Sequence, residues 1–587
     1  MRARLLLITT ALVSVPAIAQ QGDPLAPIEP LIVTPTPPPT PAPVESVTNF
    51  PEIAPALPPA APRVIPRDWR GVFAAIDGGD WDGARMGIAA LPDDVLKPLA
   101  RAELFTARGS PRVELAPIVA LLAEAPELPQ AEQLARLAAA RGAIDIPFVT
   151  SPRGTISLGS APRRGRVRSV EGLVEDELRA ALEPYVKVDD GVGAEALYRQ
   201  AALTLMPESR AEAAHRVAWI YYVGGRDVDA RRVADEGRVG AAGEWAAQAA
   251  WVSGLASWRI NDCTAALASF REAGRMGREP EFVAGAHFWT ARAAQACRRP
   301  HEVAPLLKAA ARSAESFYGL MARETLGMEN RLTRGAAPDD LARIEALPNV
   351  RRAKALVAIG RRAEAEELLR YQARICRPGE HRALIRVAAS LDLAGAQFWL
   401  AHFGQPGASA DPADRYPTPN WTPYNGWRVD PALAYAHIIQ ESNFRADAVS
   451  PAGAVGLMQV RPGTAGDTAR MRGTGSSVST ATLKDPLSNI DYGQAFIELI
   501  RGNSATGGQL PKVIAAYNAG PVPVARWAYY DRGDPLLWIE SIPYWETRFY
   551  VPAVLRNMWV IQGLEGAETP TLTALAQHKW PDFPRKR

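Results

Sequence analysis

At 587 residues with 47% apolar side chains, the chain has room for several domains with packed cores. Its 66 basic residues against 63 acidic ones leave a net charge of +3, too slight a surplus to point to nucleic acid as a partner. The three cysteines, Cys263, Cys297 and Cys376, show no metal-ligand spacing, and an odd number leaves at least one thiol unpaired in an oxidising compartment.

Residues 1–19 read MRARLLLITTALVSVPAIA, with Arg2 and Arg4 ahead of an apolar run and a small-x-small site at Ala17-Ile18-Ala19. This is the pattern of a secretory signal peptide. The run is too short and wrongly flanked to cross a bilayer, no cysteine follows the cleavage site to carry a lipid, and no later segment reaches spanning length. An exported, soluble product is expected. Residues 20–67 are dominated by proline, including PTPPPTPAP at Pro35 to Pro43, and predict an extended linker without a core. In a polyproline-like form it reaches about 100 Å at about 3.1 Å per residue. A spacer is the main reading, and a docking peptide for a proline-binding partner is the alternative.

Residues 68–403 turn rich in alanine, leucine, arginine and glutamate with helical periodicity and few strand-like runs, predicting an all-α scaffold. Helix pairs recur. Trp219, Tyr221 and Tyr222 lead to Gly224-Gly225; Trp251, Gly254 and Trp258 lead to Asn261-Asp262; Phe288, Trp289 and Arg292 lead to Arg298-Arg299-Pro300. Trp251 and Trp289 lie 38 positions apart in equivalent places, the period of a tetratricopeptide-like array. One such pair cannot bury its apolar face alone, so the units are expected to stack into a curved superhelix. Isolated buried thiols are the expectation for the cysteines, with a Cys263–Cys297 bridge between neighbouring pairs as the alternative.

Within the scaffold, residues 151–168 interrupt the helices with Gly, Pro and Ser and carry Arg163, Arg164, Arg166 and Arg168, which reads as a solvated loop. Residues 404–427 form a proline-rich connection interleaved with Tyr416, Trp421, Tyr424 and Trp427, aromatics expected at the seam between the scaffold and the last domain. Residues 428–562 make that final domain, and 563–587 read as a polar tail.

The final domain opens on Asp430-Pro431, a helix start: the Asp side chain caps free N–H groups and proline suits the first helical position. A helix to about Ser442 puts Ala434, Ile438 and Glu441 on one face, so an otherwise apolar face ends in one carboxylate. The negative end of the helix dipole and apolar neighbours both disfavour its ionised form, so Glu441 is expected to hold its proton to higher pH than a free glutamate. A carboxylic acid protonated near neutrality is what a glycosidic leaving group needs.

Downstream come Glu441-Ser442-Asn443-Phe444, Ser450-Pro451-Ala452-Gly453, Gly456-Leu457-Met458-Gln459, Ala516-Tyr517-Asn518-Ala519-Gly520 and the run from Ile542 through Glu546 and Thr547 to Tyr550. In this order and spacing the blocks closely resemble the soluble lytic transglycosylases of bacterial peptidoglycan metabolism. Phe317-Tyr318-Gly319-Leu320-Met321-Ala322 with Leu326-Gly327 resembles a further element of that family within the scaffold. The resemblance implies a goose-lysozyme-like catalytic domain behind a ring-like helical scaffold. It implies cleavage of the β-1,4 bond between N-acetylmuramic acid and N-acetylglucosamine without net addition of water, giving 1,6-anhydromuramyl ends, in the periplasm. It also implies no cofactor and no metal, a monomer acting on peptidoglycan glycan strands, and proteins of cell-wall synthesis as further partners.

By the same resemblance Glu441 serves as acid and then as base, and Ser450 faces it on the acetamido side of the sugar. Met458 and Gln459 line the cleft, Tyr517 and Asn518 bind substrate with Tyr517 near the acid, and Glu546 and Tyr550 support the site at i, i+4. Read locally, Ser450 is a turn residue, Met458 core, Gln459 surface and Asn518 a helix cap. Arg445-Ala446-Asp447 departs from the Asn-Pro-Lys-like run common there, which bears on subsites rather than on the acid. Two other functions compete: a lysozyme-type hydrolase pairing Glu441 with Asp447 or Asp467, and a non-catalytic glycan-binding scaffold.

Overall fold

The computed structural model describes residues 65–336, 338 and 340–584; the expected signal peptide and nearly all of the proline-rich linker lie outside them. The described chain is almost wholly helical. Its one sheet pairs Ile156–Ser157 antiparallel with Phe403–Gly404.

The scaffold repeats pairs of helices. Pro207–Val223 pairs with Asp227–Gly237, Glu244–Arg259 with Cys263–Met276, and Pro280–Ala296 with Pro300–Ala310. Each pair turns through a residue at positive φ, Gly225, then Asn261, then Arg298. Glycine and asparagine tolerate that conformation and arginine does so at a steric cost. Asp262 closes its turn by accepting from Ala265 N at 3.0 Å. The first helix of each pair is buried almost all round, so Trp251 and Trp289 meet inside the array, edge to face with centroids 6.3 Å apart.

Stacked pairs bring their turns along one edge, which corrects the expectation for the cysteines. Cys263 begins the second helix of one pair, Cys297 caps the first helix of the next, and the two form a disulfide with Cα atoms 5.5 Å apart. Cys376 stays a buried free thiol, its pKa pushed by burial up to about 12.

The array's two ends meet. Its first five helices, Trp69–Asp77 to Ala131–Ala140, share one apolar core with the helices from Pro348–Ala358 to Ala394–His402. Arg352 Nη1 pairs with Glu127, and Asn349 Nδ2 donates to Glu127 O at 2.7 Å, across the junction.

The basic loop is not solvated throughout. The Arg164 side chain is 9% exposed and donates through Nη1 to both oxygens of Glu540 at 2.9 and 2.7 Å, with its guanidinium 4.8 Å from the Trp251 ring and 5.0 Å from Phe549. Glu540 lies in Pro535–Glu540 of the final domain and also accepts from Tyr318 Oη at 2.6 Å. Desolvating a charge is too costly without a counter-charge, so a buried arginine in this loop marks a junction. The tail differs too. Pro570–Ala576 is a helix that buries Leu572 and Leu575, and its Thr573 donates to Glu324 in the scaffold helix Phe317–Thr325.

Between scaffold and final domain the connecting aromatics form a seam: Trp421 packs on Phe444, Trp427 on Tyr435, and Phe398 of the scaffold on Phe444. In the final domain Pro431–Glu441 lies against Trp545–Leu564, with Pro486–Arg501 and Leu510–Ala519 alongside. Asp430 accepts from Ala432 N at 2.9 Å and from Gln562 Nε2 at 3.0 Å, so the cap that starts the helix also ties it to its neighbour.

Candidate active site

Glu441 is the last residue of Pro431–Glu441 and is half-buried. Tyr550 Oη, from the facing helix Trp545–Leu564, donates to its Oε1 at 2.5 Å. Burial pushes the Glu441 pKa up, the Tyr550 hydrogen bond opposes that, and the nearby charge of Glu546 adds to it; the result is about 7. Two causes thus raise it and one opposes them, and of the three only the apolar setting was expressed in the local sequence.

Tyr517, in Leu510–Ala519, donates to Met458 O at 2.8 Å, and burial with the Glu441 charge holds its phenol well above the ordinary range. Next to it Asn518 Nδ2 donates to Glu546 Oε1 at 3.2 Å, and its Oδ1 accepts from Thr547 Oγ1 at 2.6 Å. The Ala-Tyr-Asn-Ala-Gly block therefore binds the start of the Trp545–Leu564 helix, which fixes where Tyr550 points. Glu546 is exposed.

The loop from Ser450 to Val460 forms the adjoining wall. Ser450 Oγ accepts from Ala454 N at 3.0 Å, so its hydroxyl closes the turn. Met458 is fully buried and packs where Gly493 leaves room; a Cβ there would strike its side chain. Gln459 sits at φ 49° and its Nε2 donates to Gly456 O at 2.9 Å and Ala448 O at 3.3 Å. These three residues shape the loop from within.

Two residues that the sequence did not single out belong to this arrangement. Asn489, fully buried, accepts from Met458 N at 2.7 Å and donates to Val455 O and Leu483 O at 2.8 and 2.7 Å. His437, one turn before Glu441, places Nδ1 2.8 Å from Tyr550 Oη. Its i, i+4 spacing to Glu441 was the available signal.

Asp447 and Asp467 are not gathered here into a second catalytic carboxylate. Both are exposed, and Asp467 pairs with Arg470 one turn on. What remains is one half-buried carboxyl group with a pKa of about 7, hydrogen-bonded by a phenol and near the exposed Glu546, a group able to give up and take back a proton near neutrality.

Helical scaffold and short helical final domain, with Glu441 at the end of a buried helix, define the class of fold to which the comparisons point. Residues 423–535 match the transglycosylase SLT domain family. The soluble lytic murein transglycosylase of Escherichia coli (strain K12) is 38% identical over 136 residues, which cover 22% of this chain and 20% of that protein. The endo-type membrane-bound lytic murein transglycosylase A of Klebsiella pneumoniae (strain 342) is 32% identical over 148 residues, covering 23% of this chain and 73% of that one. Among solved structures, an inactive glutamate-to-glutamine mutant of the lytic transglycosylase Slt from Pseudomonas aeruginosa superposes with a TM-score of 0.51 at 20% identity, over 87% of this chain and 88% of that one. The chain belongs to the lytic transglycosylase family. It spans about a fifth of the length of the soluble murein transglycosylase in the aligned segment, while the fold likeness runs through scaffold and final domain alike.

Proposed function

We propose that this protein is an exported lytic transglycosylase that cleaves the β-1,4 bond between N-acetylmuramic acid and N-acetylglucosamine in peptidoglycan. Glu441 protonates the bridging oxygen as the bond from C1 breaks. The same carboxylate then takes the proton of the muramyl 6-hydroxyl as O6 bonds to C1, leaving a 1,6-anhydro end and the carboxyl group reprotonated. Atoms balance without water. Ser450, Met458, Gln459, Tyr517, Asn518, Glu546 and Tyr550 build the cleft around this exchange.

The observation that supports the reading is the half-buried Glu441 with its pKa raised to about 7 and Tyr550 hydrogen-bonded to it, while the nearby Glu546 is exposed and accepts from Asn518 and both loop aspartates face solvent. A retaining or inverting hydrolase needs a second carboxylate at the scissile bond. Among the described residues no helix is long and apolar enough to cross a membrane, which is consistent with export behind the signal-like residues 1–19 and action in the periplasm.

The test is digestion of purified sacculi by wild type and Glu441→Gln, with mass analysis of the products. Wild type is expected to release anhydro ends and the variant almost none. Products heavier by one water would make the enzyme a hydrolase, and unchanged lysis by Glu441→Gln would remove Glu441 from the chemistry.

A further inference from the structure

His437 is 1% exposed, and its ring lies against Tyr517 with centroids 4.5 Å apart. Its Nδ1 faces Tyr550 Oη at 2.8 Å, while its Nε2 is buried without a hydrogen-bond partner among the described residues. Burial pushes the imidazole pKa down to about 3, so the ring is neutral at working pH and carries one N–H. Were that proton on Nε2, a buried donor would have no acceptor and Tyr550 would turn its only proton to Nδ1, away from Glu441. With the proton on Nδ1 the cost is a bare lone pair, and orphaned buried N–H groups are the rarer case. The chain of donors therefore runs from His437 Nδ1 to Tyr550 Oη and from Tyr550 Oη to Glu441 Oε1.

We propose that His437 is a positioning residue for Glu441: it fixes the direction of the Tyr550 hydroxyl, so that Oε1 always has a donor and the exchangeable proton sits on Oε2. This rests on Glu441 as the acid. As Oε2 gives up its proton, charge grows on a carboxylate whose other oxygen is already hydrogen-bonded, and neither Tyr550 nor His437 reorients during the step. The groups facing Glu441 are Tyr550 and Glu546 from one helix and Tyr517 from the second, while His437, on its own helix, touches Tyr550 and Tyr517. Of these Glu546 raises its pKa and the Tyr550 donation lowers it.

The experiment is the pH dependence of total glycan cleavage on sacculi, counted as all new chain ends, for wild type, His437→Leu, His437→Phe and His437→Asn. A protonated acid gives kcat/KM an alkaline limb. Hydrogen bonds in a chain strengthen one another by about 10–30%, so loss of the Nδ1 donor is expected to move that limb up by roughly half a pH unit. A hydroxyl free to turn is expected to lower kcat about tenfold. Phe fills the ring's place if Leu fails to fold, and Asn, which offers an N–H near the position of Nδ1, is expected to restore the limb. In a Tyr550→Phe background His437→Phe is expected to shift nothing further. The proposal is overturned if the limb stays put in a folded His437→Phe, if Asn behaves as Phe does, or if the shift persists without the Tyr550 hydroxyl. Because all ends are counted, a hydrolytic product would sink the transglycosylase reading and leave this test intact.

Discussion

A carboxyl group whose folded pKa is about 7 is a liability to the fold as well as an asset to the chemistry. In the unfolded chain Glu441 titrates near 4.5. Between that value and about 7 the native protein binds the extra proton, so the side chain costs nothing below pH 4.5, and its cost grows as pH rises and levels off above about 7. Glu441→Gln is therefore expected to melt higher than wild type at pH 8 and no higher at pH 4, in paired calorimetric scans. Equal melting at both would mean that the carboxyl is not held neutral. The cap at Asp430 and the apolar helix face that ends at Glu441 were legible in the sequence because the helix start and the helical period agree. His437 was not, although it lies four residues from the acid. Ala432 to Ile439 are all buried, so the helix offers no polar face against which a buried imidazole would stand out.

The loop after Pro431–Glu441 is held by an element far along the chain. Asn489 satisfies three buried backbone groups of that loop and its flank, and Gly456 at φ 79° leaves no room for a Cβ beside Leu483 O and Asn489 Nδ2. Asn489→Ala strips partners from those groups and is expected to cost about 2–3 kcal/mol in urea unfolding, with sacculus lysis falling because Met458 O is also the acceptor of Tyr517. An Asn489→Ala protein as stable as wild type would show that the loop holds itself. The glycines and the Met-Gln pair of this loop could be read as a compact turn. Their clamp could not, since side-chain pairing across about thirty residues leaves no local period.

At the scale of the whole molecule, scaffold and final domain meet through charge as well as apolar packing. Arg164, Glu540 and Tyr318 come from three distant segments, and Arg548, near Arg164, has its guanidinium pKa lowered by burial and by that neighbour to about 9. Glu540→Gln takes away the carboxylate that hydrogen-bonds Arg164 and offsets the charge of Arg548, and is expected to destabilise the protein by about 3–5 kcal/mol at pH 7, an effect Arg164→Met should relieve when combined with it. Chemical denaturation of the single and double variants checks both, and a harmless Glu540→Gln would make the ion pair incidental. The helix-pair period and the equivalence of Trp251 and Trp289 were visible in the sequence because they repeat. The loop with Arg164 and the helix at Pro570–Ala576 were not, because the partners that mark them, Glu540 for Arg164 and Glu324 for Thr573, lie far away in the chain. The glutamate at this junction sets a limit on dissection. A fragment cut out to carry only residues 428–562 would keep Glu540 yet lose both groups that neutralise and hydrogen-bond it, so a piece that keeps this junction includes the arginine loop and the tyrosine of the array, nearly four hundred residues upstream at its far end.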